Sequence, residues 1–265
     1  GVGDDVIVGD IWRFKAYLPY HRNKSLDRDR DTEYRTTGII AESLTFDLGE
    51  ARTPTVLIIL DHNFTSYISI KLQGSNASNF STLISDYIIH YQETHLLHFL
   101  GPPLSSARYW RVQFSDPSNG TTYLRMSEVF LGAYVRLSRS FELGDIRGKK
   151  RVGQRDQLLS GKFFGAMNTV LQTFDLSWMR LNQTDRDHLI GVFDALNDIE
   201  NRQALGVFFS TIDTELSSVL NTSTPEIYLC EWSDQEVMAT AESDAPERYT
   251  VPIKLVEQPR TVNRD

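Results

Sequence analysis

The chain has 265 residues, enough for one large or two modest domains, and its 40% apolar and 23% charged content is that of a globular rather than a disordered sequence. A net charge of −8 argues against a surface devoted to neutralising phosphates, so nucleic acid is not an expected partner. The longest apolar run, Val56 to Leu60, is far short of the roughly 20 residues that cross a bilayer, and Gly1 to Asp10 has no basic segment followed by an apolar one, so no membrane insertion is expected.

Near the start, Asp27, Asp29 and Asp31, followed by Glu33, offer carboxylates at alternating positions, the way a loop gathers oxygen ligands around Ca²⁺. Arg28 and Arg30 are equally placed to neutralise them. The helix-loop-helix calcium pattern also fails, because its sixth and twelfth positions would be Thr32 and Gly38. Apart from this calcium candidate, no cofactor is implied.

Strands are expected at Ser43 to Leu48, Val56 to Leu60 and Tyr67 to Leu72, separated by the turn residues of Gly49 to Pro54 and Asp61 to Asn63. Ile84 to Leu100 is apolar without a clean period and is read as strand. Gly101-Pro102-Pro103 must then be loop, since paired prolines block a helix. Tyr109 to Phe114 alternates large apolar with polar residues, Asp116 to Gly120 is a turn, and Met126 to Leu131 is a closing strand. Many short strands with no convincing helix before residue 140 argue for a sandwich.

Composition shifts after Gly132. Gly144 to Asp156 is a charged stretch with Lys149, Lys150, Arg151 and Arg155, read as an arm or mobile loop joining two units. These four residues are candidates for contacting an acidic neighbouring subunit, and a solvated loop is the bland alternative. Beyond it, Lys162 to Trp178 reads as two strands around Gly165 to Asn168. Thr184 to Asp187 opens a helix carrying Leu189, Val192, Phe193 and Leu196 at helical spacing. Strands follow at Gly206 to Thr211, Glu226 to Trp232, Val237 to Ala241 and Tyr249 to Val256. The expected fold is mainly β: a sandwich over residues 1–135, a charged linker over 136–157, and a small β-sandwich or barrel with one helix over 158–265.

Catalytic signatures are thin. The chain has no Gly-x-Ser-x-Gly, no phosphate-binding glycine loop and no His-Glu-x-x-His, so no enzyme activity is expected. A glycoside hydrolase would need two carboxylates across a cleft, which the sequence cannot place. His90, His95 and His98 suggest zinc by count, yet in an extended segment His95 would point away from the other two. Cys230, the single cysteine, lies in an apolar strand and reads as a buried thiol. Seven Asn-x-Ser/Thr triplets, at Asn23, Asn63, Asn76, Asn79, Asn119, Asn182 and Asn221, are read as incidental products of polar loops.

Two segments resemble a known family. "SLTFDLGEARTPTVLIILDHNF" carries Asp47-Leu48-Gly49 before a hydrophobic strand and a His62-Asn63 turn. "SARYWRVQFSDPSNGTTYLRMSEVFLG" carries Arg108-Tyr109-Trp110-Arg111, the Asp116-Pro117 turn and the closing Phe130-Leu131-Gly132. Both are similar to the phage-tail version of the discoidin-like (galactose-binding-like) jelly roll, over roughly residues 8–135. The remainder resembles distal-tail ring subunits. The resemblance implies a virion structural protein of the tail tip or baseplate, assembled in the host cytoplasm. Its partners would be copies of itself in a homo-oligomeric ring and other tail proteins such as tube and hub. It also implies a jelly roll that either is a ligand-free structural decoration or contacts host-surface glycans, for which His62, Asn63 and Tyr67 are the candidates. The alternative is a carbohydrate-binding module of a non-viral surface protein.

Overall fold

The computed structural model describes residues 33–100, 105–132, 146–157, 163–197, 207–210, 227–232, 239–241 and 248–257. Residues 33–132 belong to one compact unit, and the described residues of 146–209 and 228–257 to a second.

The first unit is a jelly-roll sandwich of antiparallel strands. One sheet has the order β2 (Glu42–Arg52), β7 (Ala107–Ser115), β4 (Ser69–Ser75), β5 (Ser85–Ile89), and the other β6 (Leu96–Phe99), β3 (Val56–Leu60), β9 (Glu128–Gly132). A two-strand ladder of β1 (Tyr34–Arg35) and β8 (Arg125–Met126) closes one side. The chain crosses between the two sheets from β2 to β3, β3 to β4, β5 to β6 and β6 to β7, while β4 and β5 pair within one sheet. In β7 the alternation puts Trp110, Val112 and Phe114 into the core and Tyr109, Arg111 and Gln113 outward. Phe46 lies opposite Trp110, and both are fully buried. Every residue of β3 is buried, so both faces of this strand are covered, which is what an uninterrupted Val-Leu-Ile-Ile-Leu run demands. Gly74, opposite Trp110, leaves room for the indole: a Cβ there would sit 3.0 Å from the ring.

The segment expected as a single strand from Met126 to Leu131 is two. Ser127 breaks it, its hydroxyl engaging the Leu60 carbonyl and the Asp61 carboxylate, so that β8 pairs β1 while β9 pairs β3.

The second unit has a sheet of order β10 (Ile146–Gln157), β11 (Phe163–Leu181), β15 (Tyr249–Glu257), β13 (Ile227–Trp232), β12 (Val207–Ser210), with β14 (Thr240–Ala241) also pairing β15. Two expectations are corrected here. The charged stretch expected as an arm or loop, with Lys149, Lys150, Arg151 and Arg155, is strand β10, aligned with β11 from Ile146↔Asp175 to Gln157↔Phe163. Backbone pairing needs no apolar side chain, which is why the charge pattern concealed it. The turn expected at Gly165 to Asn168 is also absent. β11 runs through it, and the register slips there because Asn168 has no partner between Met167↔Gly153 and Thr169↔Val152, a bulge in place of a reversal.

β15 alternates Val251, Ile253 and Leu255 into a core with Phe174, Leu176, Trp178 and Leu181. Pro252, which has no N–H for a ladder, pairs Ser177 on β11. On the other side it falls between the residues that meet β14 (Tyr249, Thr250) and those that meet β13 (Leu255 to Glu257). Helix α1 (Gln183–Asn197) starts just ahead of Thr184: the Asn182 side-chain oxygen accepts the Asp185 N–H at 2.8 Å, making Asn182 the cap. Leu189 joins the core, and Cys230 is buried within it. Among the described residues no helix is long and apolar enough to cross a membrane.

Truncating Phe46 to alanine should cost about 3–5 kcal/mol in urea unfolding monitored by tryptophan fluorescence. Ile88→Ala, at a position 65% exposed on the outer face of β5, should change stability by less than about 0.5 kcal/mol.

Candidate functional site

The loops 61–68, 90–95 and 116–124 interlock, and Asp116 is the junction between the first and third. Asp116 directly follows β7, is 0% exposed, and opens a turn in which Asn119 N–H reaches back to its carbonyl at 3.0 Å with Pro117 at the second position. Its carboxylate accepts the Thr65 N–H (2.8 Å), the Thr65 hydroxyl (2.6 Å) and the Asn119 side-chain amide (3.1 Å). Asn119 also donates to the Asn63 carbonyl at 2.9 Å. The Asn63 amide then donates to Thr121 Oγ1 and the Tyr123 carbonyl, both at 3.2 Å, and its Oδ1 accepts the Arg125 N–H at 2.8 Å.

Left-handed backbone occurs in these loops, as it does at Ala41, Phe80 and Arg180. Asp61 has φ 52°, and Thr94, a β-branched residue, has φ 66°. Thr94 is the centre of a γ-turn in which the His95 N–H bonds the Glu93 carbonyl at 2.7 Å, an uncommon and strained geometry. It is held because the Thr94 carbonyl accepts the His62 N–H at 3.1 Å and His95 Nδ1 accepts the Asp61 N–H at 3.1 Å. The same nitrogen stands 3.8 Å from the Asp61 carboxylate.

The three candidate sugar contacts separate. His62 is buried, stacked on Phe64 with ring centroids 4.3 Å apart, and its Nδ1 accepts the Phe64 N–H. Asn63 is engaged on both ends of its amide. Only Tyr67 is offered to solvent, at 77% exposure, on a turn closed by Ile68 N–H to the Thr65 carbonyl that turns Ile68 inward. Tyr91 lies 6.0 Å from His62, and its hydroxyl is pushed up in pKa, first by burial and then by Glu93 and Asp116. Tyr123 lies under the Arg35 guanidinium at 4.9 Å. Tyr91, Arg35 and Arg125 were not among the sequence candidates. No local signal marks them: Arg35 and Arg125 meet only through the β1–β8 ladder, and Tyr91 approaches His62 from a separate loop.

The engaged amides of Asn63 and Asn119 also bear on the Asn-x-Ser/Thr triplets, since neither nitrogen is available for attachment in the folded chain. His90 and His98 stand with rings 6.3 Å apart, while His95 turns to Asp61, so the three do not converge. Among the described residues no group of three His, Cys, Asp or Glu could hold a metal ion. Asp27, Asp29 and Asp31 lie outside the described residues. Ser127, Asp61 and His95 form no hydrolytic triad: the buried Ser127 hydroxyl bonds the carboxylate and the Leu60 carbonyl, not an imidazole nitrogen that would activate it.

No protein-family model and no curated protein matches the chain. Among solved structures, it is similar to the lectin domain of lectinolysin complexed with Lewis B antigen, at 14% identity and TM-score 0.37, covering 49% of this chain and 97% of that one. It is similar also to CpGH89CBM32-6 produced by Clostridium perfringens (17% identity, TM-score 0.35, 45% and 90% covered). A third is CBM62 from Clostridium thermocellum Xyl5A (22% identity, TM-score 0.33, 41% and 80% covered). At these scores, nothing of those proteins' ligands passes to this chain.

Burial, reinforced by neighbouring His95, lowers the His62 pKa to about 4, and burial with His90 does the same for His98. Both rings are neutral in the folded protein at pH 7. In the unfolded chain they return to 6.5 and take up protons first, so their contribution is complete above about pH 6.5 and falls as pH drops toward 4. Urea unfolding at pH 7 and 4.5 should show the loss, at most on the order of 3 kcal/mol per histidine. His62→Leu should flatten part of that pH dependence.

Proposed function

We propose that the N-terminal sandwich is a glycan-binding module whose contact surface is the loop end around Tyr67. The observation that carries this is a tyrosine 77% exposed on a turn anchored by Thr65, two residues before it, which is bonded twice to the buried Asp116. An aromatic face on a rigid support is what stacking on the C–H face of a sugar requires, because little conformational freedom is lost on binding. Tyr91 and Tyr123 supply further rings on the adjoining loops. Tyr67→Ala should weaken binding on a glycan array and in calorimetry by about 3–10-fold with an unchanged melting temperature. Absence of binding to every glycan tested would end this reading.

A second reading follows from β10 and from the resemblance to tail proteins: the module decorates a virion tail-tip subunit that assembles into a ring through its second unit. β10 stands at the end of its sheet and carries five basic residues against one acidic, in a chain of net charge −8. A basic edge strand suits the acidic surface of another copy. Reversing Lys149, Lys150 and Arg151 to glutamate should then shift a multimer to monomer in light scattering. A wild-type chain that stays monomeric at high concentration would remove the assembly role.

A further inference from the structure

The sequence has a single Asn-Gly pair, Asn119-Gly120. Such a pair is chemically labile, because glycine has no side chain to shield its backbone nitrogen or to restrict its approach to the preceding asparagine side chain. Here the pair falls at the centre of the interlocked loops. Asn119 is buried, and both ends of its amide are engaged. The nitrogen donates to the Asn63 carbonyl at 2.9 Å and to Asp116 Oδ2 at 3.1 Å, while the oxygen accepts the Thr121 N–H at 3.1 Å and the Thr121 hydroxyl at 2.8 Å. Gly120 is exposed: a Cβ there would meet nothing within 4 Å, and its φ lies outside the left-handed region.

We propose that Asn119 is a modification site gated by the fold: its amide survives while the loop end is closed, and once that end opens it deamidates and the end cannot close again. In the reaction the Gly120 nitrogen, giving its proton to hydroxide, bonds to Asn119 Cγ. The Cγ–Nδ2 bond breaks, and the amide nitrogen leaves as ammonia with a proton from water, so that a cyclic imide remains. Water then opens the ring. Breaking the bond between Gly120 N and Cγ gives aspartate, breaking the main-chain bond from Asn119 to Gly120 gives isoaspartate, and nothing is oxidised or reduced. In the closed form, ammonia cannot depart until Nδ2 gives up both of its bonds, and Cγ cannot turn toward Gly120 until the bonds that fix the plane of the amide are broken. The rate is therefore the open fraction multiplied by the rate in a free chain. The product is ill-suited to the site. A carboxylate in place of the amide has no proton to donate, yet it would face the Asn63 carbonyl and the Asp116 carboxylate, an acceptor against two acceptors and a like charge in a buried position. Asp116 Oδ2 also accepts the Thr65 N–H, so the turn bearing Tyr67 would lose part of its anchor.

The test incubates the full chain at mildly alkaline pH with and without guanidinium chloride and follows Asn119 by peptide mapping and mass spectrometry. Asn119 should react at least about tenfold more slowly in the folded chain than in the denatured one. Refolding yield of the denatured sample should fall in step with the modified fraction. Gly120→Ala should slow the reaction in denaturant and preserve that yield, while Asn119→Asp should lower the melting temperature or prevent folding. A smaller difference between folded and denatured chain, or a faster reaction in the folded one through the Thr121 N–H acting on the developing oxyanion, overturns the inference. So does an Asn119→Asp chain that melts like wild type, or a refolding yield lost equally from wild type and Gly120→Ala.

Discussion

A carboxylate with no solvent exposure is tolerable only when its oxygens are bonded, and Asp116 sits at the point where the most chain depends on that condition. Three donors from two loops meet its two oxygens. Each donor fixes something further: Thr65 fixes the turn bearing Tyr67, and Asn119 fixes the Asn63 carbonyl and, through Thr121, the approach to Tyr123. The sandwich core brings β7 to this position, and the buried charge converts that placement into an ordered loop end. The strained backbone at Asp61 and Thr94 belongs to the same logic, since left-handed conformations in non-glycine residues persist where surrounding bonds over-determine them.

The division of labour among neighbouring residues follows from this. His62, Asn63 and Tyr67 lie within six positions of one another, yet one packs, one ties loops together and one faces water. Polar and aromatic character in a turn is compatible with all three roles, and only the surroundings separate them. The Arg35–Glu33–Arg125 group has the opposite character: Glu33 and Arg35 stand two residues apart, Arg125 lies 92 residues from Glu33, and the ladder makes the three a unit.

What could be read from the sequence was whatever apolar side chains announce. Val56 to Leu60, the alternation in β7 and the alternation in β15 all stand where their patterns placed them, because burial and pleat act directly on residue type. β10 was hidden because main-chain pairing leaves no mark on a charged stretch, and the run through Gly165 to Asn168 looked like a reversal because bulges and turns share residue preferences. Of the loop end, Tyr67 was expected to begin a strand and to be one of three sugar contacts, and the structure places it exposed on the turn before Ser69. The burial of His62 was not legible, since it depends on Phe64, Tyr91 and His95 arriving from two separate loops.

The engaged amides of Asn63 and Asn119 carry a consequence for biogenesis. Each stands in an Asn-x-Thr triplet, and each side-chain nitrogen donates two hydrogen bonds on which the loop end closes. An oligosaccharide attached to either nitrogen during translocation into a secretory compartment would precede folding and prevent that closure. A glycosylated amide keeps one N–H in place of two, so each of these positions would lose at least one of its loop bonds.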